Sequence, residues 1–459
     1  MAAAALRGLL LIALWLPATE ARPGLLHPQT SESREVQSLD GIWRFRVDTH
    51  GVGMREGWAQ AALTNTVPMA VPSSYNDLMG ETALREHVGL VWYERDCFVP
   101  LSWRDKRVVL FVGSANHHAV AWLNGKRVGE HEGGHLPFHL PLDGAGLVEY
   151  GRANRLTIAI NNTLTTTTIP PGFVQTNAAG RRIQRLQMDF FHYAGLHRQV
   201  LLYTTPTSYV DDLLVSCRLD GSTAHLNVFV SAISPAASGG GAGGADASGQ
   251  LSVLITLRDA QDKVVARGRM PADPRRGGRL QVQDARLWWP RYMSESPGYL
   301  YTIVVEVLSK DDKVSDVYRL KYGVRTVETS AERGFLINGR PFYFAGFGKH
   351  EDSELRGRAL DVPQLIKDMS LMQWTGANSV RTTHYPYSEE FLQLCDEMGI
   401  AVIGEVRRAP ISLSPLDPIH RRPTPSPKPA CARAHKLPSP LPHTRARAHA
   451  SPPPRQMIT

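Results

Sequence analysis

Between residues 22 and 205 apolar and polar side chains alternate in short runs. Trp43, Phe45 and Val47 alternate with Arg44 and Arg46, and Leu156, Ile158 and Ile160 recur at every second position of residues 155–160. A period of two places such residues on one face of a strand. Residues 119–123 run into Asn124-Gly125, the dipeptide of a two-residue hairpin turn, and Arg127-Val128 follow. Many short strands with few helical windows predict a sandwich or jelly roll. Residues 206–326 continue the all-β character: 225–230 and 301–307 alternate, 251–257 reads as a further strand and Val264-Val265 follow a short polar turn, which suits an immunoglobulin-like β-sandwich. Residues 235–249, dominated by Gly, Ala and Ser, read as a loop between strands.

From residue 327 the period changes. Residues 342–345 read as an apolar strand, and a helix begins near Pro363 with Asp361 as its cap. Leu365, Met369, Met372 and Gly376 recur at helical spacing. A strand at 378–381 follows. Ser388 then caps a second helix with Phe391, Leu394, Cys395 and Met398 on its face, Glu389 and Glu390 in its first turn and Gly399 as its stop. Residues 400–403 form a third strand. Strand, helix, strand, helix, strand is how a parallel α/β barrel starts. The expected fold is therefore multidomain, mainly β and then α/β: a jelly-roll domain (22–205), an immunoglobulin-like β-sandwich (206–326) and an incomplete TIM (β/α)8 barrel (327–405).

Charge adds one boundary. Residues 406–459 hold 13 of the 32 prolines and ten Lys/Arg against the single acid Asp417, so the first 405 residues carry a net −1 of the chain's +8. This Pro/Arg-rich segment lacks the apolar surface to offset its ordering entropy and reads as a disordered tail. A near-neutral body argues against nucleic acid as a partner. Residues 1–21 read as a secretory signal peptide: a short basic start, a brief apolar run at 8–16, and small residues at Ala18 and Ala21. No other stretch is apolar enough for a membrane span. Cys97, Cys217, Cys395 and Cys431 are too scattered for a disulfide scaffold or a CxxC metal site, and Cys395 reads as core. Asn161-Asn162-Thr163 is a glycosylation sequon at Asn161.

Several motifs then point to one family. Val71-Pro72-Ser73-Ser74-Tyr75-Asn76-Asp77, Val91-Trp92-Tyr93-Glu94-Arg95 and His131-Glu132-Gly133-Gly134-His135-Leu136-Pro137-Phe138 resemble the sugar-binding domain of family 2 glycoside hydrolases. Asp189-Phe190-Phe191-His192-Tyr193-Ala194-Gly195-Leu196-His197-Arg198 is most similar to the β-glucuronidases of that family. Phe335-Leu336-Ile337-Asn338-Gly339-Arg340-Pro341-Phe342, Lys349-His350-Glu351-Asp352 and Arg381-Thr382-Thr383-His384-Tyr385-Pro386-Tyr387 resemble the entry to its barrel. The resemblance implies a retaining hydrolase that releases β-D-glucuronic acid from glycosaminoglycans and conjugates. It also implies a glucuronide-bearing carbohydrate as partner, a homotetramer, no cofactor, and a secretory route to the lysosome.

Retaining glycosidases need two carboxyl groups about 5–5.5 Å apart. The resemblance puts the acid/base in an Asn-Glu-Pro motif after the fourth barrel strand and the nucleophile after the seventh. No Asn-Glu-Pro occurs in these residues. We therefore expect a truncated form that lacks both glutamates and is inactive alone, with the tetramer in doubt and retention in the endoplasmic reticulum. Glu405, at the end of the third strand, reads as a site-wall residue. Asp189 and His384 match family substrate contacts, Asp189 against the alternative of a turn-stabilising Asp. Arg381 either orients site carboxylates or forms a structural salt bridge. His350-Glu351-Asp352 is not read as a metal site, since adjacent strand residues point to opposite faces. Trp43, Trp92, Trp288 and Trp289 read as core. Two rival functions stand beside this one: a non-catalytic carbohydrate-binding or dominant-negative subunit, and another family 2 glycosidase such as a β-galactosidase or β-mannosidase.

Overall fold

The computed structural model describes residues 26–144, 146–234 and 251–405. The expected signal peptide (1–21), the Gly/Ala/Ser loop (235–249) and the tail (406–459) lie outside them. The chain is mainly β and then α/β.

The first part is a jelly roll of two antiparallel sheets. Six strands lie in the order Val67–Val71, Gly41–Val47, Leu90–Val99, Arg152–Asn161, His118–Leu123 and Lys126–Glu132. Four lie in the order Val36–Ser38, Val200–Thr205, Arg107–Val112 and Phe138–Pro141. One core joins them: Trp43, Phe45, Tyr93, Leu110, Ile158 and Leu202 are all buried in it. Asn124 and Gly125 both take positive φ (52° and 79°), as a two-residue hairpin turn requires. The alternation at 155–160 understates burial. Thr157 and Ala159 face away from that core yet are covered, Ala159 by Trp92 and Trp122, while Thr157 donates to the Glu94 carboxylate (3.3 Å). A central strand is covered on both faces here, which a period of two does not reveal.

The second part is an immunoglobulin-like sandwich. Tyr209–Asp220, Thr223–Ile233 and Gly278–Val282 form one sheet; Val264–Pro271, Ser252–Arg258, Tyr301–Leu308 and Val314–Tyr322 form the other. Leu226, Val228, Ile255 and Val305 fill the space between. Arg34, from the segment before the jelly roll, reaches this sandwich. It donates through Nε (3.0 Å) and Nη2 (2.5 Å) to the fully buried Asp316, which also accepts from Ser33 Oγ and the Val210 amide.

In the third part three parallel strands, Gly346–Lys349, Ser379–Thr382 and Ala401–Ile403, alternate with helices Val362–Trp374 and Glu389–Met398. No closed barrel forms among the described residues. Both helix starts follow the sequence: Asp361 accepts from the Gln364 amide (3.1 Å) and Ser388 from the Phe391 amide (3.3 Å). Gly399 ends the second helix at φ 67°. Two expectations need correction. The first strand is Gly346–Lys349, not 342–345; Phe342 and Phe344 instead pack on Phe335 (6.2 and 4.9 Å between rings). Glycines suit that strand because it runs close to its neighbour: a Cβ on Gly346 would sit 1.9 Å from the Ser379 carbonyl oxygen. Gly376 lies beyond its helix, at φ 76° in the turn that follows.

Candidate functional site

The loop after the hairpin of Gly172–Thr176 and Arg182–Leu186 carries the jelly roll into the α/β part. Met188 and Phe190 enter the core built by Leu365, Met369, Tyr385 and Phe391. Asp189, between them, is left 80 % exposed over the ends of the parallel strands. There its Oδ1 lies 2.9 Å from Nε2 of His384, just past strand Ser379–Thr382. The Phe190 ring stacks on the same imidazole (5.9 Å, 28°). On the other side of His384, Nη2 of Arg381 is 3.4 Å from Nδ1, and Nε of Arg381 donates to Glu405. The structure thus brings together Asp189, His384 and Arg381, with Glu405 at the end of the row.

The chemistry of this row follows from its partners. The Asp189 carboxyl is held below its usual range, first by its own backbone N–H and then by His384. It stays ionised and can only accept hydrogen bonds, as a contact to hydroxyls requires. A general acid needs the opposite shift. Glu405 is already occupied by Arg381, and the His384–Arg381 pair stands between the two carboxylates.

Behind the row lies a buried polar layer that docks the two parts. Arg358, 3 % exposed, sits over the Tyr385 ring (4.4 Å) and near Phe190 (5.9 Å). His135 stacks on the other aromatic partner, Tyr385 (4.6 Å, 11°), and His117 stacks on His192 (4.7 Å, 3°). Arg358 and Asn116 both approach Nδ1 of His197 (3.4 and 2.7 Å). Burial is the main force that lowers the pKa of His117, His135 and His197 and takes His192 to about 3; the Arg358 charge adds to it in all four. Burial raises the Glu351 carboxyl, against the pull of Arg198 and Arg358. Arg198 ties the layer together by donating to the carbonyls of His135 (3.1 Å) and Pro386 (2.7 Å).

Sequence reasoning missed this layer and the seating of Phe190. His135, His192, His197, Glu351 and Tyr385 stand in the quoted motifs, whereas Asn116, His117 and Arg358 do not, and nothing periodic marks any of them. His350, Glu351 and Asp352 follow the first parallel strand rather than lying on it. His350 packs edge-on against His384 (5.6 Å, 81°) while Glu351 turns to Arg198. Among the described residues no group of three His, Cys, Asp or Glu is placed to hold a metal. Among them, too, no helix is long and apolar enough to cross a membrane. Trp43, Trp92 and Trp288 are buried, as expected; Trp289 is only partly so, under Arg340 (5.1 Å).

Comparison with known proteins bears on this arrangement. Residues 36–206 match the model for the glycosyl hydrolases family 2 sugar binding domain, 208–325 that for glycosyl hydrolases family 2, and 328–427 that for the family's TIM barrel domain. The third match runs past residue 405. A β-glucuronidase of Rattus norvegicus is 45 % identical over 399 residues, covering 83 % of this chain and 58 % of the relative. The Homo sapiens β-glucuronidase is 44 % identical over 412 residues, covering 85 % and 60 %. The solved Ruminococcus gnavus β-glucuronidase in complex with D-glucuronic acid superposes with a TM-score of 0.76 at 35 % identity, covering 84 % of this chain and 62 % of that one. The chain spans about three-fifths of the length of the curated relatives it matches.

Proposed function

The chain belongs to glycosyl hydrolase family 2, and from that premise we propose that its described residues build the sugar-facing wall of a β-D-glucuronide site. The observation that carries the reading is the Asp189–His384 contact, 2.9 Å long between residues 195 positions apart in the chain. Asp189 accepts hydrogen bonds from sugar hydroxyls, His384 fixes its direction, and Arg381 holds Glu405. The likeness to solved β-glucuronidases supports glucuronide over galactoside or mannoside as the substrate.

The reaction class is retaining hydrolysis, which needs a nucleophile and a proton-bearing acid about 5–5.5 Å apart. Asp189 and Glu405 do not fit that pair, since one is kept ionised and the other is bound to Arg381. A polypeptide of these 459 residues, tested as such, binds glucuronides without cleaving them. We further propose a secretory route toward the lysosome with retention in the endoplasmic reticulum, and a glycan on Asn161.

A fluorogenic aryl β-D-glucuronide incubated with the purified polypeptide should release no dye above buffer, while the full-length rat relative does. Added D-glucuronic acid should slow hydrogen exchange in peptides covering 379–388, and Asp189→Asn should abolish that protection. Turnover by the polypeptide, protection that survives Asp189→Asn, or stronger protection by galactose or mannose would each overturn the proposal.

A further inference from the structure

The jelly roll meets the α/β part at the buried polar layer behind Asp189, and imidazoles dominate that joint. His117, His135, His192 and His197 are each at most 7 % exposed. His117 lies flat on His192 and edge-on to His135 (6.1 Å), and His135 stacks on Tyr385 of the α/β part. The same part supplies Arg358, whose Nη2 approaches Nδ1 of His197 (3.4 Å) and whose Nη1 has no partner among the described residues. Backbone bonds close the joint: the Leu360 amide donates to the His197 carbonyl (2.8 Å) and the Ser74 amide to the Arg356 carbonyl (3.0 Å).

The docked layer has room for neutral rings and no acceptor for a further proton. Nε2 of His192 faces the Asn162 carbonyl (3.0 Å) and Nε2 of His135 the Ile169 carbonyl (2.7 Å), so each of these rings carries its proton on Nε2. A second proton on His192 would go to Nδ1, which is sealed from solvent without a partner among the described residues. Nε2 of His117 and Nε2 of His197 are sealed in the same way. An imidazolium there would hold a buried charged N–H with nothing to accept it.

Burial holds all four rings below the ordinary value of 6.5, and the neighbouring charges push the same way. Arg358 acts on all four, Arg198 on His135 and His197, and the rings on one another. Glu351 lies 3.9 Å from Arg198, with Arg358, Lys349 and Asp352 acting on it too. Burial raises its carboxyl, so as the pH falls it takes a proton in place and opposes opening, one group against four.

We propose that this layer is an acid-operated latch: at neutral pH four uncharged rings hold the α/β part on the jelly roll, and in acid the joint parts so that the rings take up protons in water. The loop at 187–194 belongs to the joint, so the row on Asp189 stands at neutral pH and comes apart in acid while the jelly-roll core stays folded. The argument rests on the layer and holds whatever Asp189 contacts.

Hydrogen exchange on the full chain, corrected for the intrinsic effect of pH on exchange, reads the opening. Each ring is neutral when docked and returns to 6.5 when parted, so it favours parting only below about pH 6.5. From pH 7.5 to 5.5 one ring multiplies the open fraction by about ten, and four by about ten-thousandfold. Loss of protection well above tenfold is expected in peptides covering 187–194 and 354–360, while strands Leu90–Val99 and Arg152–Asn161 stay protected. His192→Gln keeps a donor for the Asn162 carbonyl, removes one titrating ring, and should cut the rise about tenfold. His118→Gln, at a half-exposed ring beside Glu130, should leave it unchanged. Where a variant does not fold, the wild-type pH slope decides alone. A wild-type rise of tenfold or less, an equal loss in the two core strands, or a slope that His192→Gln leaves as it was would overturn the proposal.

Discussion

Replacing Phe190 with alanine should unseat the row of site residues without touching any of them. Phe190 is 7 % exposed and packs against Tyr385 (5.8 Å, 62°), His384 (5.9 Å, 28°) and His350 (6.3 Å, 54°), with Arg358 5.9 Å above its ring. Truncating a buried Phe to Ala costs about 3–5 kcal/mol. Each aromatic pair contributes roughly 0.5–1.5 kcal/mol beyond burial. The loss falls on the docking of residues 187–194, because Phe190 and Met188 are what that loop places in the α/β core. A value of about 4 kcal/mol is close to a thousandfold rise in the open fraction, at ~1.4 kcal/mol per decade. Native-state hydrogen exchange reads this directly, since amides exposed by loop release lose protection in proportion. Phe190→Leu keeps most of the burial and loses the ring contacts, so about tenfold is expected. A change below about tenfold for Phe190→Ala, or equal losses for Ala and Leu, would refute the claim that stacking in this pocket holds Asp189 over His384.

Acid should loosen the molecule at the buried histidine layer. His192 has a pKa near 3 when folded against an ordinary 6.5, so below pH 6.5 the unfolded chain takes the proton first and stability falls until about pH 3. At pH 5 that single group costs on the order of 2 kcal/mol, visible as a lower denaturant midpoint; an unchanged midpoint between pH 7 and 5 would count against a neutral buried His192. Arg34→Ala should destabilise by about 3–5 kcal/mol, because it strands the fully buried Asp316. Double replacement of Arg34 and Asp316 by Met and Leu should recover part of that loss in the same melt, and a single variant as stable as wild type would contradict the burial argument. Asn161 ends strand Arg152–Asn161, and its Oδ1 accepts from the Thr163 amide (3.0 Å). Expressed in mammalian cells, the chain should shift in gel mobility on endoglycosidase treatment, and Asn161→Gln should abolish the shift.

What the sequence makes legible here is set by how local the physics is. Caps, stops and turns act within four residues, and Asp361, Ser388, Gly399 and Asn124-Gly125 all do what their neighbours require. One-sided strands are equally plain. The first parallel strand is not, because its glycines answer to Ser379 and Thr383 across the sheet: a Cβ on Gly348 would meet Thr383 Oγ1 at 2.7 Å. Such residues weaken the local strand signal for a reason that exists only after folding. The site shows the same division. Asp189 and His384 were found through motifs, yet no periodicity states that they meet, since their contact depends on Met188 and Phe190 docking into a different part of the chain. The same docking decides which side chains of the loop face elsewhere. With Met188 and Phe190 committed to the α/β core, Asp189 is left over the strand ends while His192 stays buried against the Asn162 carbonyl, so one packing event sets the place of both. A variant that weakens that packing should therefore disturb both together, which no reading of either motif alone would foresee.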